Sequence, residues 1–305
     1  MPLSPAALAS WGVVLVVSLW GCNFVFTKVG LESLSPLAFA GLRAVLAAGV
    51  LWAFLAWQRE GLRRLSKREH VFVGALGIIG NGLFLLLYTL GLNHTSAANG
   101  ALIVAASPVM VVALGQLLGL ERPSKAAWWG AGLSVLGIVL VVGRGLELGS
   151  GLLGDVIMVG TMLAWVAYTL GAKPLLMRHS PLTLTAYGSL WGAGVLLAVS
   201  FPALYTTSWQ TVTPASWGAA FYAGAIATGF AYILWNRSVS VVGPARTSIY
   251  INLIPVVAVV VGFFVLGERL VLVQGVGAVL IISGVVLAQR PARATLAPVP
   301  PAPPR

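Results

Sequence analysis

The chain has 305 residues, of which 59% are hydrophobic and only 8% charged, with a formal net charge of +11. A soluble domain carries about 25% charge, so a surface this poor in charge has to face lipid. With Cys22 as the lone cysteine and His70, His94 and His179 widely scattered, the sequence offers no intrachain disulfide and no metal-ligand spacing, and neither metal nor cofactor is expected.

The first apolar run, about 8–28, has no Lys or Arg before it. A cleaved signal peptide needs a charged start, so this run reads as a first membrane span. Crossing the hydrocarbon takes about 20 apolar residues. Runs of that kind follow at 36–57, 71–91, 98–118, 126–143, 155–173, 182–204, 216–235, 245–266 and 271–288. The expected fold class is an all-α integral membrane protein of about ten transmembrane helices. Pro36, Pro181, Pro214 and Pro244 stand near span starts, where the missing amide hydrogen costs little. The Pro/Ala-rich tail, 289–305, cannot bury a core and is expected to be disordered.

Orientation follows from the loops. QREGLRRLSKREH, after the second span, carries Arg59, Arg63, Arg64, Lys67 and Arg68 against Glu60 and Glu69. The positive-inside rule makes that loop cytoplasmic. Alternation then places Arg122, Lys125, Lys173, Arg178, Arg237, Arg246 and the tail arginines on the same side. Only Arg144 and Arg269 fall outside, with Lys28 near the outer end of span one. Both termini are expected in the cytoplasm, and the compartment is expected to be a bacterial inner membrane. The basic excess is thus a topological signal. No basic face is present to suggest a nucleic acid partner.

The chain repeats itself. Trp20 and Lys28 in WGCNFVFTK recur 145 positions later as Trp165 and Lys173 in WVAYTLGAK, and Pro36 and Pro181 share that offset. SPVMVVALGQLLGLER matches IPVVAVVVGFFVLGER at an offset of 147, pairing Pro108 with Pro255, Glu121 with Glu268, Arg122 with Arg269, Gly130 with Gly277 and Gly137 with Gly284. The halves, 8–143 and 155–288, would each hold five of the expected spans. An odd number inverts the second copy against the first. Secondary transporters use such inverted repeats, with the substrate site near the midplane between them. A duplication kept only for stability is the alternative.

Positions i, i+3 and i+7 share a helix face. Span one offers Trp20, Asn23 and Thr27, and span three offers Asn81, Phe84 and Tyr88. Span six offers Trp165 and Tyr168, span eight Tyr232 and Trp235, and span nine Ser248, Asn252 and Pro255. Such an aromatic, amide-bearing lining suits an amphipathic small molecule. Arg43 lies about two turns inside span two. A charge there costs about 2.5–3.5 kcal/mol on insertion scales, so it faces protein or water. It either bonds carbonyls of a neighbouring span or serves substrate and gating. Lys28 could attract an anion or simply snorkel to the interface. Pro108 and Pro255 read as hinges inside spans four and nine, with a static kink as the alternative. No phosphate-binding glycine loop, acid near the middle of a span or catalytic cluster appears, so an enzyme is not expected.

These segments resemble the EamA-type branch of the drug/metabolite transporter superfamily. The likeness runs through LWGCNFVFTK, PLAFAGLRAVLAAG with Arg43, LYTLGLNHTSAANGALIVAASPV and GLER in the first half. It continues through GDVIMVGTMLAWVAYTLGAK, FAYILWNRSVSVVGPARTSIYINLIPVVAVVVGFFVLGERL and QGVGAVLIISGVVL in the second. The resemblance implies ten helices as two inverted five-helix repeats around a cavity lined by spans one, three, four, six, eight and nine. It implies peripheral fifth and tenth spans associated with homodimer contacts, and a small-molecule substrate, with typical members exporting amino acids or related metabolites. Gly188 stands where Arg43 would repeat, so the arginine acts once. The expected function is a metabolite exporter working by alternating access. An importer or multidrug exporter of the same fold, and a membrane sensor or assembly subunit, are the alternatives. Reporter tags placed at Ser66 and Ser180 should read cytoplasmic and a tag at Glu268 external; finding all three on one side would dissolve the antiparallel arrangement.

Overall fold

The computed structural model describes residues 5–57, 65–95, 100, 103–120, 123–142, 152–257, 260–261 and 272–288. Arg59, Arg63, Arg64, the Glu-Arg pairs 121–122 and 268–269, Arg144 and the tail lie outside the described residues. Helices α1 (Pro5–Leu31), α2 (Pro36–Trp57), α3 (Lys67–His94) and α4 (Ile103–Leu117) come first, followed by α5 (Lys125–Val142). Helices α6 (Leu152–Leu176), α7 (Pro181–Thr206), α8 (Pro214–Val242), α9 (Pro244–Ser248) and α10 (Leu272–Ala288) complete the order. Six of them, α1, α2, α3, α6, α7 and α8, are long and apolar enough to cross a membrane. The expected spans 98–118, 126–143, 245–266 and 271–288 fall only partly on described residues and are represented there by shorter helices.

Helix starts are built from side chains that satisfy the free amides of the first turn. Ser66 and Glu69 form a reciprocal capping box on α3. The Ser180 hydroxyl accepts from the Thr183 amide at 3.1 Å, and the Thr213 hydroxyl from the Ser216 amide at 3.2 Å, each with proline opening the helix. Before Pro244 the chain needs a left-handed turn, which Gly243 supplies at φ 89°.

Two helices are not regular. Residues Ile78–Leu83 of α3 and Tyr222–Phe230 of α8 form wide π-type turns. Asn81 and Thr228 lie within them 147 positions apart, the offset of the internal repeat. Wide turns inside helices shift every later side chain around the axis and gather at functional sites. After α9 the chain tightens instead, into a 3-10 segment over Ile249–Leu253.

Packing exchanges elements between halves. Helix α1 lies on α8 as α6 lies on α3, α2 lies on the wide turn of α8 as α7 lies on that of α3, and α2 meets α7 as α5 meets α10. Lipid supplies little hydrophobic drive between helices, so close approach through small residues holds them. A Cβ on Gly77 of α3 would fall 2.0 Å from the Gly188 carbonyl of α7, and one on Gly130 of α5 would fall 2.4 Å from the Gly284 carbonyl of α10. Outward faces carry exposed apolar side chains, and Trp11, Trp57, Trp128, Trp129, Trp209 and Trp217 are all exposed near helix ends, as an interfacial belt requires.

The two ends of the bundle are tied separately. At one, the Lys28 ammonium donates to the Leu92 carbonyl at 2.9 Å, Thr95 donates to the Asp155 carboxylate at 2.5 Å, and the Thr213 amide donates to Ser33 at 3.3 Å. At the other, Lys173 donates to the Leu120 carbonyl at 2.6 Å, His179 meets Glu69 at 3.0 Å, and Ser238 donates to the Ala9 carbonyl at 2.9 Å. The first turn of α6 is therefore fastened where the last turn of α1 ends. Gly77→Val, which forces backbone apart, should destabilise the detergent-solubilised protein by about 1–3 kcal/mol. Gly194→Ala, with nothing within 4 Å of the added carbon, should leave the melting temperature unchanged or slightly raised; equal losses would refute the close-approach reading.

Candidate functional site

Where α1, α3, α6 and α8 converge, aromatic rings fill the space. Trp20 meets Trp165 at 5.1 Å between ring centroids, edge to face at 88°, and both meet Trp235 at 5.2 and 5.1 Å. Tyr232 sits 5.7 Å from Trp165 and 6.0 Å from Trp20. Edge-to-face contacts of this kind are favourable beyond their buried area. The Trp20 indole donates to the Ala227 carbonyl in the wide turn of α8 at 2.7 Å, which fixes that ring.

Beside the cluster lies a cavity lined by Trp20, Asn23, Phe24, Arg43, Phe84, Tyr88, Val104, Trp165, Tyr232, Ile251 and Ile254. The empty space there is about 470 Å³, open solvent at its mouth included.

Arg43 is the only charged side chain among the lining residues, and it is 3% exposed. Its Nε donates to the Thr228 hydroxyl at 3.1 Å, and that hydroxyl donates across the wide turn to the Ala223 carbonyl at 2.7 Å. The guanidinium carbon lies 5.4 Å from the centroid of the Tyr88 ring, within cation–π range. Nη1 is buried with no hydrogen-bond partner. Gly224 allows this proximity, because a Cβ there would meet the Arg43 carbonyl at 2.7 Å. The arginine thus meets a hydroxyl, where a bond to neighbouring carbonyls was the structural expectation.

The structure brings Trp20, Asn23, Phe84, Tyr88, Trp165 and Tyr232 to the cavity together with Arg43. The remaining candidates stand elsewhere. Thr27 is buried beside the Tyr88 hydroxyl, without well-formed hydrogen-bond geometry. Tyr168 backs Tyr232 at 5.9 Å and accepts from Asn236 at 2.7 Å. Trp235 supports the cluster from behind. Lys28 is exposed and capped on Leu92.

Five residues depart from the expected stripes and hinges. Asn81 does not share the cavity face with Phe84 and Tyr88, because the wide turn rotates it toward α7, where its Cβ lies 2.6 Å from where Gly192 would carry one. Asn252 and Ser248 do not line the cavity, since the 3-10 segment brings round Ile251 and Ile254 at its three-residue period instead. The Ser248 hydroxyl turns back on the Pro244 carbonyl at 2.7 Å. Pro108 and Pro255 do not interrupt continuous helices. Each opens a helical stretch, after the turn at Ala106 and after the 3-10 segment respectively, where no internal amide is missed.

Sequence reasoning passed over Phe24, Val104, Ile251, Ile254, Thr228 and Asn236. Thr228 carried a usable signal, standing at the repeat offset from Asn81. Asn236, bridging Tyr168 and Thr185 at 2.7 and 2.8 Å, carried none beyond being a polar residue in an apolar helix.

Comparison with known proteins adds a family. The model of the EamA-like transporter family matches residues 7–143 and again 152–289. An uncharacterized transporter of Archaeoglobus fulgidus is 30% identical over 278 residues, spanning 90% of this chain and 95% of that protein. A protein of Streptantibioticus cattleyicolor described as a probable terminal-alkyne amino-acid exporter is 28% identical, over 92% of this chain and 93% of its own length. A solved crystal structure superposes with TM-score 0.78 at 16% identity, over 94% of this chain and 98% of that one, which establishes a shared fold. Thr228→Val removes the hydroxyl that accepts from the Arg43 Nε and should cost about 1–3 kcal/mol, read as a lower melting temperature; an unchanged value would mean that water serves the arginine equally well.

Proposed function

The chain belongs to the EamA-like transporter family, and from that premise we propose that it is a secondary transporter exporting amino-acid-like metabolites by alternating access. It is a multi-pass membrane protein with two copies of the family unit. The reading adds ten crossings, an inverted second unit, a bacterial inner membrane and cytoplasmic termini. Support for inversion comes from the start of α6 being tied to the end of the bundle where α1 finishes. Orientation rests on the basic loops.

One observation carries the reading: a polar-aromatic cavity at the junction of helices from both units, walled by rings that hold one another. Uniform packing would leave no reason to bury a guanidinium and orphaned amide and hydroxyl groups together. A transported solute gives that reason, since its polar groups can meet those of the wall. The breaks before Pro108 and Pro255 are the hinges of this scheme, because a helix already interrupted bends without losing internal hydrogen bonds. Export direction is supported by the described activity of the Streptantibioticus relative.

Purified protein reconstituted in vesicles should show saturable counterflow of radiolabelled amino acids. Trp165→Ala, which opens the ring cluster, should lower that flux about tenfold, a loss of about 1.4 kcal/mol, with the amount of inserted protein unchanged. Absence of saturable flux for every amino acid would leave the sensor reading in place of this one.

A further inference from the structure

Resting on that reading, we infer that the cavity recognises a free carboxylate, held by Arg43 with the Tyr88 hydroxyl beside it, while Trp20, Trp165 and Tyr232 take the apolar body of the same molecule. The first ground is charge. Arg43 is buried, and its Nη1 lacks a partner. The described acids are Glu32 between α1 and α2, Glu69 held by His179, and Asp155 held by Thr95. None lines the cavity. Thr228 is neutral and the Tyr88 ring offers only its quadrupole, so the guanidinium keeps an uncompensated charge. A buried charge without a counter-charge is expensive, and a carboxylate supplies one through short, charge-assisted hydrogen bonds.

The second ground is the company Nη1 keeps. Asn23 Oδ1, Thr27 Oγ1 and Tyr88 Oη are also buried, beside one another but without well-formed hydrogen bonds, and Asn23 and Tyr88 share the cavity wall with Arg43. Unmet donors and acceptors clustered around one space mark where a polar group belongs. The third ground is the rest of the wall. Phe24, Val104, Ile251 and Ile254 bring no donor or acceptor side chain, so one guanidinium balances one negative charge and the side chain of the bound molecule meets an apolar wall. A phosphate dianion would need a second cation, which none of the described lining residues supplies.

The test uses the full chain and pairs that differ only in charge: leucine, methionine and phenylalanine, each against its own primary amide. Binding is read from the fluorescence of the cavity tryptophans in detergent, and flux from counterflow in vesicles. Wild-type protein should bind the acids at least about tenfold more tightly than the amides, equivalent to about 1.4 kcal/mol. Arg43→Gln should erase that preference while amide binding persists, and Arg43→Lys, which keeps a charge without the planar fork, should retain part of it. The wild-type acid–amide comparison stands even if a variant fails to fold. Equal binding and flux of acid and amide would overturn carboxylate recognition and leave the transporter reading intact. A preference that survives in Arg43→Gln, or no binding by any acid, would overturn it as well, and absence of flux for acids and amides alike would remove both readings.

Discussion

A guanidinium kept inside a bundle whose outside is lipid constrains everything around it. Hydrocarbon offers no hydrogen bonds, so every polar group at that depth is satisfied by protein, by trapped water or by a ligand. Arg43 can donate to Thr228 only because α8 opens into a wide turn that presents the hydroxyl. It can reach Thr228 only because Gly224 lets α2 approach α8 closely. The same wide turn carries the Ala227 carbonyl that holds the Trp20 indole. One irregular segment thus positions both the charge and an aromatic wall.

The duplicated plan is visible in how these irregularities are distributed. Asn81 and Thr228 occupy equivalent wide turns, yet only Thr228 meets an arginine. On the other side Gly188 replaces it, and there α3 and α7 press backbone to backbone with Asn81 against Gly192. Two copies of one architecture have diverged into a charged contact and a close backbone one. A transporter gains from that asymmetry. One interface is a close backbone contact while the other buries a charge, and α5 packs against α10.

Much of the fold was legible because membrane insertion is a one-dimensional filter. Long apolar runs, proline-led starts and the offsets of 145 and 147 are properties of a string. Trp20, Asn23 and Trp165 were legible for the same reason, since α1 and α6 are regular, though the stripes run past the wall at Thr27 and Tyr168, which do not line it. Where the backbone departs from 3.6 residues per turn the stripe fails. Asn81 was lost to a π turn, and Asn252 and Ser248 to a 3-10 segment. No propensity in NGL or IYINL announces such a change of pitch.

By itself, then, the amino-acid order determined a membrane protein of repeated apolar helices, its family and the identity of its one charged residue deep in a span. Those follow from the free energy of leaving water, which each segment meets alone. The tertiary structure decided what Arg43 touches, which faces meet across the cavity and which side chains line it. Those depend on the pitch of single turns and on distances of a few ångströms between segments far apart in the chain, which only packing can set.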